Sequence, residues 1–379
     1  MGPTIRVVGS LNADMVSVTP RFPDAGETIT SSAYFTSAGG KGANQAVACG
    51  RLSRSQRQTS SCCTSINSSD VNVEMVGAVG GLDGHFSALL KPTLEKSGVD
   101  TSRVKVMEDA YTGVAVIIVD SSAGGENRIL FSPGANYSGM QANPSVVGMA
   151  LAEPVPDVIV MQGEIPTETT VAILREIGQW KEQQRDDGKR GIDAGPDVMF
   201  NPAPAPPEGL PEDVYKGVDH LIMNETEAEL MTPDEEVLLR VPGIESAQDG
   251  KEKVARYFHS LGVRYVIVTL GAKGVWYSAA DPDTLGDRVT SEVPAAKVSR
   301  VLDTTAAGDT FVGAYAVQVA RWREKRRREG KAGKDLEGEE KRQRYKGVMD
   351  EAMGVATRAS ARGVERQGAM DSIPWEDEI

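Results

Sequence analysis

The sequence predicts an α/β fold: helices packed on a layered, mostly parallel sheet, with a small second sheet beside it. Three observations carry this. Short apolar, β-branched runs recur at residues 5–8, 114–119, 158–161, 221–223 and 265–270, bounded by Gly, Pro or Asn as buried strands are. Stretches of helical period lie between several of them, and alternation of strand and helix marks a parallel sheet. Strand-like segments crowd the early region with few helices between some of them.

Taken in order, residues 5–8 form the first strand. Segments 16–18, 28–35, 104–107, 113–119 and 127–131 belong in part to the small sheet, which would cover a cleft. Residues 43–52 are a helix behind a Gly-rich run. Residues 167–185 are a second helix, with Val171, Leu174, Ile177 and Trp180 on one face. Residues 246–261 are a third, with Val254, Phe258 and Leu261. Three stretches read as insertions into a single domain of residues 1–379. Residues 53–70 have little apolar content and are expected to be a mobile loop. Residues 179–195 are strongly charged. Residues 321–346 hold twelve Lys or Arg against six Asp or Glu. Within them Lys325-Arg326-Arg327-Arg328 reads as a solvated helix extension, the rival readings being a nuclear address or an anion patch.

Charge and residue inventory exclude several function classes. The 379 residues carry 41 Lys and Arg against 54 Asp and Glu, a net charge of −13. Nucleic acid and anionic membranes have the same sign, so neither is expected as a general partner. Three cysteines, Cys49, Cys62 and Cys63, are no disulfide framework and suit a reducing compartment. Adjacent Cys62 and Cys63 lack zinc-site spacing and His85, His220 and His259 are scattered, so zinc sites and His-based triads are not expected. No apolar run approaches the roughly 18 residues of a membrane span, and the N-terminus carries no leader pattern. The expected location is cytoplasmic, with the nucleus as the alternative.

The strongest chemical signal is Asp303-Thr304-Thr305-Ala306-Ala307-Gly308-Asp309-Thr310. A helix beginning there points unpaired N–H groups out of its first turn, and small side chains let an anion approach them. Asp309 is then a carboxylate beside a site built for another anion. That suits a base that deprotonates a hydroxyl attacking a phosphate, unless Asp309 merely caps a tightly packed helix. The second signal is Ala38-Gly39-Gly40-Lys41-Gly42-Ala43-Asn44-Gln45-Ala46. It lacks the Ser or Thr after the Lys that a P-loop needs, and Gln45 stands where a dinucleotide fingerprint needs Gly. Its glycines still let backbone approach a ligand, to which Asn44 offers donor and acceptor; the alternative is a plain turn and helix start.

Three weaker signals also follow strands. Asn12 and Asp14 alternate just after the first strand, so they can face one side and suit a polyol, or form an Asx turn. Asn224-Glu225-Thr226-Glu227 has capping-box spacing and also places Glu227 where a hydrated Mg²⁺ would use it. Thr269-Leu270-Gly271-Ala272-Lys273-Gly274 accepts part of a nucleotide or closes a hairpin. Together the five point to phosphoryl transfer without a P-loop.

On these residues the sequence resembles the PfkB family of ribokinase-like carbohydrate kinases. The resemblance runs from residues 9–14 through 39–44, Gln162-Gly163-Glu164, Asn201-Pro202-Ala203-Pro204-Ala205, 224–227, 269–271 and 303–309 to 367–375. It implies a three-layer α/β/α fold, its central sheet mostly parallel, with a small β-sheet lid drawn from about 15–36 and 104–132. It implies transfer of the ATP γ-phosphate to the 5-hydroxyl of D-ribose. Asn12, Asp14, Gly40, Lys41, Asn44 and Glu164 would then hold ribose, and Asp309 would be the base. The backbone of Ala306, Ala307 and Gly308 would form the anion hole. Asn224, Thr269, Gly271 and Gly308 would serve the nucleotide, and Thr357 stands where an Asn near the adenine is common. Glu227 would hold Mg²⁺ through water. An activating K⁺ is implied, with Asp303, Thr305, Gly363, Arg366, Gly368 and Ser372 as ligands, several through backbone carbonyls. Homodimers through the lid are frequent in the family, and its compact members lack the three insertions. The rivals are a fructokinase- or adenosine kinase-like enzyme and a sugar-binding protein without catalysis; a binder has no need of Asp309.

Overall fold

A computed structural model describes residues 2–56, 71–122, 126–281 and 288–379. Most of the first expected insertion, residues 57–70 with Cys62 and Cys63, lies outside the described residues.

The two-residue period of the apolar strands sets the architecture. In β1 (Thr4–Val8), Ile5 and Val7 enter one apolar cluster and Val8 another, so the two faces of the sheet carry separate cores. The remaining strands are β2 (Asn12–Thr19), β3 (Ala33–Gly39), β4 (Asn72–Gly80), β5 (Val99–Asp100), β6 (Val104–Met107), β7 (Gly113–Asp120) and β8 (Glu126–Ser132). They continue with β9 (Val158–Met161), β10 (Asp197–Phe200), β11 (His220–Asn224), β12 (Tyr265–Thr269), β13 (Val275–Ala279) and β14 (Val289–Val293). Seven helices concern the site or the insertions: α1 (Lys41–Leu52), α2 (Thr167–Asp186), α3 (Glu225–Met231), α4 (Gly250–Ser260), α5 (Ala307–Arg328), α6 (Gly338–Tyr345) and α7 (Gly347–Val364). One core joins the sheet to α1, α5 and α7, and the other joins it to α2, α3 and α4. The result is three layers.

Among the described residues the main sheet has ten strands in the order β14-β13-β12-β11-β10-β9-β1-β4-β5, with β6 also on β4. It is parallel from β12 to β5, and β13 and β14 extend it antiparallel. A separate four-stranded sheet runs β3-β2-β7-β8.

Four expectations shift. Segment 28–35 was expected as a strand, but pairing with β2 from Val18↔Ala33 to Asn12↔Gly39 fixes β3 at Ala33–Gly39. Residues 104–107 join the main sheet, not the small one. Nine-residue β4 outruns two-residue β5, and β6 takes up the pairing at Gly77–Gly80 in parallel register, one residue out of step with β5. On α2, Val171, Leu174 and Ile177 are buried as expected, but Lys181 continues the buried face and Trp180 does not. The ammonium of Lys181 is held by Asp219. Finally, residues 325–328 are the last turn of α5, a helix extension as expected with Lys325, Arg327 and Arg328 exposed, but Arg326 turns inward and is only 2% exposed. No helix among the described residues is long and apolar enough to cross a membrane.

Candidate active site

The carboxyl ends of β1, β9, β10, β11 and β12 present residues 9–12, Gln162 to Glu164, Asn201, Asn224 and residues 269–271 toward one edge of the sheet. Ligands of open α/β sheets bind at that edge. The N-terminus of α5 arrives at the same place. Asp309, in its first turn, is 6% exposed. Its Oδ2 accepts from Asn44 Nδ2 (3.0 Å) and its Oδ1 from Gln45 Nε2 (2.9 Å), the fourth and fifth residues of α1. Two charge-assisted hydrogen bonds therefore fix the carboxylate without a cation in direct contact.

The turn before α5 is unusual. Ala306 takes a left-handed conformation (φ 59°), and no other non-glycine among the described residues has positive φ. This turn brings the Thr304 carbonyl onto the Ala307 amide at 3.2 Å. One of the three amides expected to bind an anion is thus engaged within the turn. The Gly308 amide has no acceptor among the described residues, and a Cβ built on Gly308 would meet nothing within 4 Å. The first turn opens onto space, as an anion site requires.

The Gly-rich run is a strand end and a helix start joined by one residue. β3 ends at Gly39, α1 begins at Lys41, and Gly40 lies between them at φ 90°. A Cβ on Gly40 would sit 2.7 Å from the Asn12 amide, so this close approach demands glycine. Glu164 Oε2 accepts from the Lys41 amide (3.0 Å) and from Ser10 Oγ (2.6 Å), tying β1, β9 and α1 together. Asn12 Oδ1 accepts from Asn136 Nδ2 at 2.7 Å. The Asp14 carboxylate lies against Gly39, where a side chain would collide with it.

Electrostatics unite these groups. Burial, with Glu164 and Asp309 nearby, pushes the Asp14 carboxyl up to about 7. Lys41 is raised, mainly by Asp309, then Glu164, Glu227 and Asp14, and keeps its proton. Glu227 is raised by burial. The ammonium of Lys41 thus sits in the field of four carboxylates, a pattern that marks functional sites more often than structural ones.

The capping box on α3 is present: Asn224 Oδ1 accepts from the Glu227 amide (2.8 Å) and Glu227 Oε2 from the Asn224 amide (2.9 Å). Capping does not remove Glu227 from the site, since its other oxygen stays available. One half-buried carboxylate suits a Mg²⁺ that keeps most of its waters. Thr269 pairs with Asn224 across β11 and β12, and exposed Gly271 (φ 55°) follows in a turn leading to β13. Thr357 stands apart on α7, its hydroxyl donating to the Gly354 carbonyl of the same helix.

A loop cluster lies behind the α5 turn. Asp303 accepts from the amides of Thr305 (2.8 Å) and Gly368 (2.9 Å). The Gly363 carbonyl accepts from the Arg366 amide (3.0 Å), and a Cβ on Gly363 would lie 3.9 Å from the Ser372 carbonyl. The Arg366 guanidinium is engaged by Glu378. The six residues are therefore gathered, and what they present is oxygen, a donor set that fits a hard monovalent cation.

Sequence reasoning missed the network beneath Asp309. Gln45 also donates to Asn201 Oδ1 (3.1 Å) and accepts from Gln162 Nε2 (2.7 Å), and Asn201 donates to the Ile222 carbonyl (2.9 Å). Gln45 had been noted only as a missing glycine. The available signal was two adjacent amides, Asn44 and Gln45, opening a helix otherwise rich in small residues.

Comparison with known proteins agrees with this geometry. The family model described as pfkB family carbohydrate kinase matches residues 3–375. The chain is similar to the ribokinase of Schizosaccharomyces pombe, 36% identical over 373 residues, covering 98% of this chain and 94% of that one. Among solved structures it resembles the ribokinase of Thermotoga maritima (TM-score 0.68, 30% identity, 99% of this chain and 97% of that one). It also resembles Arabidopsis thaliana ribokinase complexed with ribose and ATP (TM-score 0.71, 26% identity, 100% and 97%).

Proposed function

The chain belongs to the pfkB family of carbohydrate kinases, and from that premise we propose how its residues carry the transfer of the ATP γ-phosphate to the 5-hydroxyl of D-ribose. The reading rests on one observation above all: buried Asp309, clamped by Asn44 and Gln45, stands beside the open amide of Gly308.

Asn12, Asp14, Asn44 and Glu164 orient the sugar, with Gly40 and the Lys41 backbone closing on it. Asn44 Oδ1 is buried and without a partner, which suits a donating sugar hydroxyl. Asp309 accepts the proton of the attacking hydroxyl as the O–P bond forms. The amides of Gly308 and its neighbours take the charge of the moving phosphoryl oxygens, and Lys41 adds a fixed positive charge. Asn224, Thr269 and Gly271 border the nucleotide. Glu227 would hold the Mg²⁺ that comes with ATP, which would supply charge neutralisation on the phosphates. K⁺ held by Asp303, Thr305, Gly363, Arg366, Gly368 and Ser372 would polarise the loop ahead of α5. The lid excludes water from the transfer. Exposed Tyr34 and Phe35 on β3, with Ile129, Leu130 and Phe131 on β8, support a homodimer through the lid; a solution mass equal to one chain would refute it. Three cysteines, too few and too oddly placed for a disulfide framework, suit a reducing, cytoplasmic setting.

A coupled assay for ADP with D-ribose, fructose and adenosine, in K⁺ and in Na⁺, tests the reading. D-ribose should give the highest kcat/KM, and K⁺ the faster rate. Preference for another acceptor would move the assignment to that branch.

Asp14 makes D-ribose binding depend on pH. Its carboxylate must accept hydroxyl protons, and its ordinary value is raised to about 7, so the ionised form is lost as pH falls through that value. Between pH 8 and pH 6 the ionised fraction drops about tenfold, and the Kd for D-ribose should rise by about the same factor. Calorimetry without nucleotide measures this. Asp14→Asn should bind more weakly with a flat profile; parallel profiles would remove Asp14 from the sugar site.

A further inference from the structure

Far from the nucleotide edge, two of the expected insertions meet. A Cβ on Gly191 (φ 57°) would collide with the Lys334 carbonyl, and the Gly191 amide donates to Asp335 at 3.2 Å. Arg323, on α5, donates to the carbonyls of Ile192 (2.9 Å) and Gly195 (2.7 Å). Between these segments and the amino ends of β10 and β12 lies a cavity of about 650 Å³, within the usual size of a small-molecule site. Fourteen helical residues separate Asp309 from Arg323, roughly 21 Å along α5, so this cavity is not the active site.

Nine of its lining residues are basic and five acidic. Several acids are already engaged. Asp197 pairs with Arg323 at 3.0 Å, and Asp281 with Lys341 at 2.6 Å. The cations that remain are the informative ones. Arg344 is 2% exposed, and among the described residues no carboxylate lies within ion-pair distance of it. Its guanidinium is sandwiched between the Tyr265 and Trp322 rings (4.7 and 4.6 Å), and it donates to the Met349 sulfur at 3.3 Å and to the Tyr315 hydroxyl, while the Asp197 carboxylate that acts on it from farther off is already paired with Arg323. The Nε atoms of Arg344 and of Arg264 are buried without a partner. Burying an unpaired guanidinium is unfavourable unless something neutralises it.

We propose that this cavity binds a small anion bearing phosphoryl groups, with Arg344 and Arg264 at its floor and Lys334 at its rim. Guanidinium forks match phosphate oxygens in a way that point charges do not. Because Arg323 and Trp322 belong to α5, the bound anion stiffens the far end of the helix whose first turn carries Asp309. The site does not depend on which sugar the enzyme phosphorylates.

Inorganic pyrophosphate is the probe, titrated by calorimetry into the full chain with the active site filled by D-ribose and a non-hydrolysable ATP analogue. One pyrophosphate per chain should bind with a Kd below about 1 mM. Arg264→Gln and Lys334→Gln, which leave the Arg344 packing intact, should each weaken it about tenfold or more. Arg344→Gln should abolish it, and its melting curve separates loss of binding from loss of fold. Absence of binding in the wild type, or wild-type affinity in Arg264→Gln and Lys334→Gln, overturns the proposal.

Discussion

Asp309→Asn should lower kcat by about 10³-fold or more while the Kd for D-ribose stays within about threefold. Asn has the shape of Asp, so the first turn of α5 keeps its packing. Its oxygen still accepts from Gln45, while its new amide faces the Asn44 amide donor. Asn44 keeps its Oδ1 turned to the sugar, so the mismatch is present with and without D-ribose and cancels from the Kd. The variant therefore folds, binds sugar, and lacks only the group that receives the proton. Lys41 also loses the carboxylate that raises it most. Steady-state kinetics and calorimetry on the same preparation decide this, and turnover within about tenfold of wild type would dismiss Asp309 as the base. Gln45→Leu is the companion. It strips a donor from Asp309 and an acceptor from Gln162, so it should slow the wild type. On an Asp309→Asn background it should cost little more, because residues acting through one group are not additive.

Much of this was legible in the sequence because the signals are local. The strand ends, the small residues before Asp309 and the alternation of Asn12 with Asp14 each depend on a few neighbours and on a period of two or 3.6. What escaped depends on distance. The partner of Gln45 is 264 positions away, so nothing near Gln45 announces it. The placement of β6 follows from β4 being longer than β5, a comparison between separate strands. The insertion at residues 321–346 misled for a different reason. A run of Lys and Arg normally means solvent, and the buried guanidinia there are explained only by distant or folded-back partners: the Lys331 and Lys334 carbonyls on Arg326, and the Tyr265 and Trp322 rings on Arg344.

Gly308→Ala should separate stability from activity by moving them in opposite directions. Gly308 lies in the first turn of α5, its φ is not positive, and a Cβ there would touch nothing within 4 Å. No feature of the fold requires glycine. Alanine is the better helix former by about 1 kcal/mol, so the melting temperature should hold or rise. The empty space above Gly308 is, on the kinase reading, where the phosphoryl oxygens approach the amide. A methyl group there pushes them back from donors whose hydrogen bonds weaken steeply with distance. Loss of one such donor lowers kcat by about 10²-fold, and Gly308→Val should lower it further with the fold still intact. Thermal melts and kcat with D-ribose make the comparison. Should the alanine variant melt no lower and turn over within about threefold of wild type, the phosphoryl group does not pass this amide. Should it melt lower, the glycine serves the fold and not the reaction.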